Sequence, residues 1–244
     1  MNMTLFADDP ITWSDPSPYA ALEFYGHLII GAIWFFAGVL AFSARKGSKV
    51  HILAGQVCIV CTLVVCITAM VMLAVEFVPP LALNSVTAPY AVLTAWLALK
   101  PATRRVKAAE YTLSIVEIIA LSLFLTIAIP NVLAGSAPPV GPFIVAIIPI
   151  ALLLGDLNFH LRPAQRAKMR VRRHLARMAW AFAIMLRAPL VEFHTGGFLP
   201  LPDLVIFFAP LLIGVGLLLY FQWRFGKLPL QKPRSPSSRV AAGA

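Results

Sequence analysis

Seven long apolar runs, separated by short polar connections, dominate the pattern of this chain: residues 20–42, 50–78, 81–99, 110–133, 140–157, 174–193 and 204–223. A helix rises about 1.5 Å per residue, so a hydrocarbon layer of about 30 Å takes about 20 residues. The runs therefore predict an all-α fold, a polytopic membrane helix bundle with seven transmembrane helices. Pro89 falls in the third run, and Pro142 and Pro149 in the fifth. Pro149 is expected to kink its helix, since it lacks a backbone donor and crowds the preceding turn.

Composition agrees with this pattern. The 244 residues are 60% hydrophobic and 12% charged, whereas a soluble domain carries about 25% charged residues. The apolar runs follow one another too closely for separate soluble domains, so residues 20–224 are predicted to form one bundle. A short acidic tail (1–19), expected outside the cytoplasm, precedes it. A basic, proline-bearing tail (225–244) follows, too polar to bury a core and expected to be disordered in the cytoplasm. The first segment has no Lys or Arg before an apolar stretch, and a cleavable signal peptide is not expected.

The net charge is +10, and its distribution orients the bundle. Arg45, Lys46 and Lys49 follow the first run; Lys100, Arg104, Arg105 and Lys107 the third; Arg162 through Arg173 the fifth; Arg224 through Arg239 the seventh. The opposite connections, 79–80, 130–139 and 194–202, contain no Lys or Arg. By the positive-inside rule the basic side is cytoplasmic, which gives an N-out/C-in topology. The basic connections are expected to meet anionic lipid headgroups. No nucleic-acid partner is expected, because no soluble domain is present to read one. Phosphate-loop, nucleophile-elbow and kinase motifs are absent.

Ionisable residues inside an apolar run are costly and need partners, about 2.5–3.5 kcal/mol each at mid-membrane on insertion scales. On the cytoplasmic side lie His51, Glu110, Asp156, His160 and His174, with Glu117 and Arg177 deeper. Glu110, Ser114 and Glu117 share a helical face, and a Glu117–Arg177 pair is predicted. On the outer side Glu23 and His27 stand one turn apart, and Arg187 is expected to pair with Glu23, Glu76 or Glu192. Cys58, Cys61 and Cys66 lie in one apolar run and are expected to pack as small apolar side chains.

Three functional classes fit this inventory. The first is a haem-binding or redox protein: His51 and His174 sit at matched depth on different helices, as axial ligands of haem b do, and Gly55 one turn from His51 lets a flat ring approach. The second is a non-catalytic scaffold or accessory subunit that meets other membrane proteins through small residues such as Gly31 and Gly38. The third is a transporter or a zinc-dependent membrane hydrolase, with His51, Asp156, His160 and His174 as candidate metal ligands.

Several segments also resemble a family of bacterial multi-pass membrane proteins defined as a domain of unknown function. Lys46-Gly47-Ser48-Lys49-Val50-His51 with Gly55 resembles its KGSxxH(R)xxG signature. Pro89-Tyr90-Ala91-Val92-Leu93-Thr94-Ala95-Trp96 resembles its YLVxTAW stretch. Gly155-Asp156 and Arg173-His174-Leu175-Ala176-Arg177-Met178 resemble its GD and RHLxRM signatures. Ile52 and Ala176 depart from the pattern, which has Arg and an aromatic residue there. The resemblance, over roughly residues 25–225, implies a helical fold in the bacterial inner (cytoplasmic) membrane. It marks His51, Asp156, His174 and Arg177 as the family's polar residues.

Overall fold

The computed structural model describes residues 19–136, 140–195 and 198–225. Most of the two tails read from the sequence lies outside them. The described residues are all-helical, in seven long helices: α1 (Ala21–Ser43), α2 (Lys49–Met72), α3 (Pro79–Ala98), α4 (Arg104–Leu133), α5 (Val140–Leu161), α6 (Arg166–Thr195) and α7 (Asp203–Phe225). A single 3-10 turn, Pro163–Gln165, joins α5 to α6. Six of the seven, all but α6, are long and apolar enough to cross a membrane. Helix α6 is long enough too, but Arg and Lys, Arg177 among them, crowd its first half, and Arg187 and Glu192 lie beyond.

Local chemistry sets the corners. Between α1 and α2, Gly47 takes φ +80°, a left-handed turn that suits glycine. Ser48 then caps α2 by accepting from the His51 backbone N–H at 3.2 Å. Lys46 donates to the end carbonyls of α1, Ala41 O at 2.9 Å and Phe42 O at 2.7 Å. The Lys-Gly-Ser stretch is thus a complete helix–helix corner. Pro79 and Pro80 open α3, where a missing backbone donor costs nothing.

The sequence placed several boundaries differently. Helix α2 ends at Met72 rather than near 78, and Val78 before Pro79 is extended, as a residue preceding proline prefers. Helix α4 starts at Arg104, capped by Thr103, so Arg104–Lys107 lie within it and not in a loop. Helices α5 and α6 both extend into the basic stretch read as a loop. Helix α5 continues through Pro149, which is buried.

Helix α3 is the hub. Half of its most apolar window is buried, against a third or less in the other five spans, and it packs on α2, α4, α5 and α6. Small side chains on α3 (Ala88, Ala91 and Ala95) permit this close approach. Aromatic packing joins α1 and α2 to α6 and α7. Phe182 of α6 stacks on Trp34 at 5.3 Å and meets Phe42 edge-on at 5.2 Å, with Cys58 and Cys61 beside it. All three cysteines are buried and unpaired as disulfides. The outer faces carry exposed Leu, Ile, Val and Phe, as lipid-facing surfaces do.

Candidate functional site

Three polar stripes meet at one end of the bundle. Helix α4 presents Glu110, Ser114 and Glu117, spaced i, i+4 and i+7. Helix α6 presents Arg166, Arg173 and Arg177, spaced i, i+7 and i+11. Helix α3 presents Thr87, Tyr90 and Thr94. Helical periodicity turns each set to one face. Asp156, near the end of α5, lies among them.

The result is a buried ionic network. Glu110 accepts from Arg166 and Arg173, both at 2.6 Å. Asp156 Oδ1 accepts from Arg173 at 2.5 Å and also pairs with Arg177. Its Oδ2 accepts from Tyr90 Oη at 2.5 Å and Ser114 Oγ at 2.9 Å. Arg177 further donates to Thr94 Oγ1 and to Leu152 O at 3.0 Å. Phe159 lies against two of the cations: the Arg166 and Arg173 guanidiniums sit 4.5 and 4.1 Å from its ring centre. Glu110 and Glu117 are completely buried. Each carboxylate of the network thus faces at least two strong donors, which a low-dielectric interior demands.

The expected Glu117–Arg177 pair is not formed. Arg177 is committed to Asp156, which lies closer to its fork, and Glu117 instead contacts Thr87 Oγ1 at 2.6 Å. Arg173, read from sequence as part of a topogenic loop, is central to the network. Tyr90, Thr94 and Ser114 were also missed as its members. The i, i+7, i+11 spacing of the arginines carried the signal, but only once the basic stretch is recognised as helical.

The histidines go elsewhere. His51 Nδ1 lies 2.9 Å from Ala41 O, and His174 Nδ1 3.1 Å from Ala95 O. A carbonyl only accepts, so each Nδ1 carries a proton, and in the neutral ring each Nε2 then presents a lone pair. No hydrogen bond to either Nε2 is found among the described residues. The two rings lie within electrostatic reach of one another and of Lys46, on the same faces as Cys58 of α2 and Phe182 of α6, which share one packed cluster about two turns deeper. A Cβ on Gly55 would meet nothing within 4 Å, so α2 has open space one turn from His51. Lys46 lies 4.6 Å from the Phe221 ring centre. Burial, and then the like charge of Arg224, hold its ammonium below the ordinary lysine range.

The zinc set does not assemble: among the described residues no three His, Cys, Asp or Glu side chains converge on a metal-sized point. Asp156 is consumed by arginines, and His160 stacks on Tyr111 at 4.5 Å. In the other half of the bundle, His27 Nδ1 bonds Thr68 Oγ1 at 2.8 Å rather than Glu23. Glu76 accepts from Tyr19 at 3.3 Å. Arg187 lines a cavity of about 10 Å³ with Asn84 and Pro210; the side chain of Glu192 lies outside the described residues. Gly38 is buried against Phe182, while Gly31 faces open space, so the two form no common outward face.

No family model, curated protein or solved structure matches this chain.

Proposed function

We propose that this is an integral protein of the bacterial inner membrane with seven transmembrane helices, N-terminus outside, that binds haem b through His51 and His174 as a redox protein. The observation that carries the haem assignment is the shared state of the two imidazoles. Each spends its Nδ1 proton on a backbone carbonyl and keeps Nε2 as a base. That outer hydrogen bond is the usual support of a metal-ligating histidine, because it fixes the tautomer and the ring plane.

The surrounding charge favours haem over a bare divalent cation. Lys46 stands near the pair and Arg224 near Lys46, and among the described residues no carboxylate bonds either ring. Positive charge repels a dication but complements the propionates of a haem. Bound haem supplies one-electron chemistry. The residues of this chain orient it and set the charge around it. Helix α6 completes the seventh span, its cations shielded from lipid by Glu110 and Asp156, and the Lys- and Arg-rich connections rest on anionic lipid.

The test is an absorption spectrum of the detergent-purified protein from haem-supplemented cells. A Soret band that shifts on dithionite reduction is expected, lost in His51→Ala and in His174→Ala and kept in His27→Ala. A monodisperse but colourless wild-type protein overturns the assignment. Stoichiometric co-purification of another membrane protein with that colourless form points to the accessory-subunit reading.

A further inference from the structure

We propose that Glu117 is a proton-binding site in the interior of the bundle, exchanging its proton with the cytoplasmic side along the polar stripe of α4. The proposal does not rest on the histidine pair.

Thr87 Oγ1 lies 3.0 Å from Leu83 O and 2.6 Å from Glu117 Oε1, but a hydroxyl has one proton. The buried threonines Thr62 and Thr94 both donate to the carbonyl four residues back. If Thr87 does the same, the contact at 2.6 Å needs a proton on Glu117, which then donates to Thr87 Oγ1. The chain Glu117 to Thr87 to Leu83 O is complete only with a neutral carboxyl. The ionised form would hold a full charge on that single hydroxyl. Glu117 is completely buried, and its Oε2 has no hydrogen-bond partner among the described residues. A carboxylate ordinarily takes several donors there.

Loss of the proton is nevertheless provided for. The charged groups of the adjoining network are Glu110 on the same helix, Asp156 on α5, and Arg166, Arg173 and Arg177 on α6, with the Tyr90 phenol on α3 bonded to Asp156. Of these, Arg177 lies within electrostatic reach of Glu117. Arg177 is one of three guanidiniums that share the two carboxylates of the network. Ionised Glu117 supplies the third negative charge and brings the group to neutrality. The bundle therefore holds two consistent charge states that differ by one proton. Ser114 and Glu110 lie one and two turns from Glu117 on the same face, with Glu110 about 10 Å nearer the cytoplasmic end. Arg166, which bonds Glu110, has 15% of its side chain in contact with solvent, so the stripe leads to water.

Infrared difference spectra of the full-length protein in nanodiscs, recorded across a pH titration in H2O and D2O, test this. The expected result is a protonated-carboxyl C=O band that shifts down in D2O, falls as pH rises and disappears in Glu117→Gln. In Thr87→Val the same band should persist at a higher frequency, because its hydrogen-bond acceptor is gone. This second variant leaves Glu117 intact, so the test survives if Glu117→Gln folds poorly. No such band in the wild type, a band that ignores pH, or one unmoved by Thr87→Val overturns the proposal.

Discussion

At the scale of residues, the ionic network makes unequal demands on its members. Asp156 holds two guanidiniums, a phenol and a hydroxyl. Asp156→Asn leaves Arg173 and Arg177 short of a counter-charge in a dry interior, and should cost about 3–5 kcal/mol. Thermal unfolding in detergent measures this, and the double variant Asp156→Asn, Arg177→Gln should recover part of the loss. Glu117→Gln should cost less than about 1 kcal/mol, since an amide replaces a neutral carboxyl of the same shape. A larger loss for Glu117→Gln than for Asp156→Asn would reverse this ranking. The sequence exposed the polar inventory but not the pairings. Glu117 and Arg177 are at similar depth, yet depth alone says nothing of azimuth, and the rotation of α6 turns Arg177 to α5. Arg166 and Arg173 were hidden by their neighbours: in a run of basic residues only the helical phase distinguishes those that point inward.

At the scale of elements, glycines divide by what stands opposite them. A Cβ on Gly214 would sit 2.8 Å from the Ala183 Cβ, which is fixed to α6, so Gly214→Ala must push α6 and α7 apart. At Gly38 the clash is with the Phe182 ring at 2.9 Å, a group with some room to swing although it is stacked on Trp34. At Gly31 nothing is met. Overpacking costs about 1–3 kcal/mol, so the melting temperature should fall most for Gly214→Ala, less for Gly38→Ala and not at all for Gly31→Ala. Equal effects at all three sites would contradict the packing described. The existence and approximate centres of the seven helices were legible in the hydropathy pattern, because a run of twenty apolar residues has few alternatives. Their ends were not. The extension of α6 carries charged residues, and two of them, Arg166 and Arg173, find their partner Glu110 on α4, to which a one-dimensional pattern has no access.

At the scale of the whole molecule, the charge asymmetry makes a topological prediction. In sealed right-side-out vesicles a membrane-impermeant maleimide should label Ser136→Cys and should reach Lys49→Cys only after permeabilisation. The three native cysteines are buried and give little background. Labelling of Lys49→Cys in sealed vesicles would invert the assigned orientation. The hub role of α3 was not legible beforehand: Pro89 and several polar side chains made it a less apolar run than most, and the same small and hydroxylated residues allow four neighbours to close on it. The order of the helices also bears on how the chain is made. Helix α6, whose arginines no lipid would welcome, leaves the ribosome after α4 and α5. By then α4 and α5 have been synthesised, and Glu110 and Asp156 stand ready as its counterions. Biogenesis thus presents acceptors before donors, and α6 can enter the bilayer by docking on its predecessors rather than by its own apolarity. A chain halted after α5 would carry two acidic side chains awaiting a partner, a mark by which membrane quality control could recognise an unfinished protein.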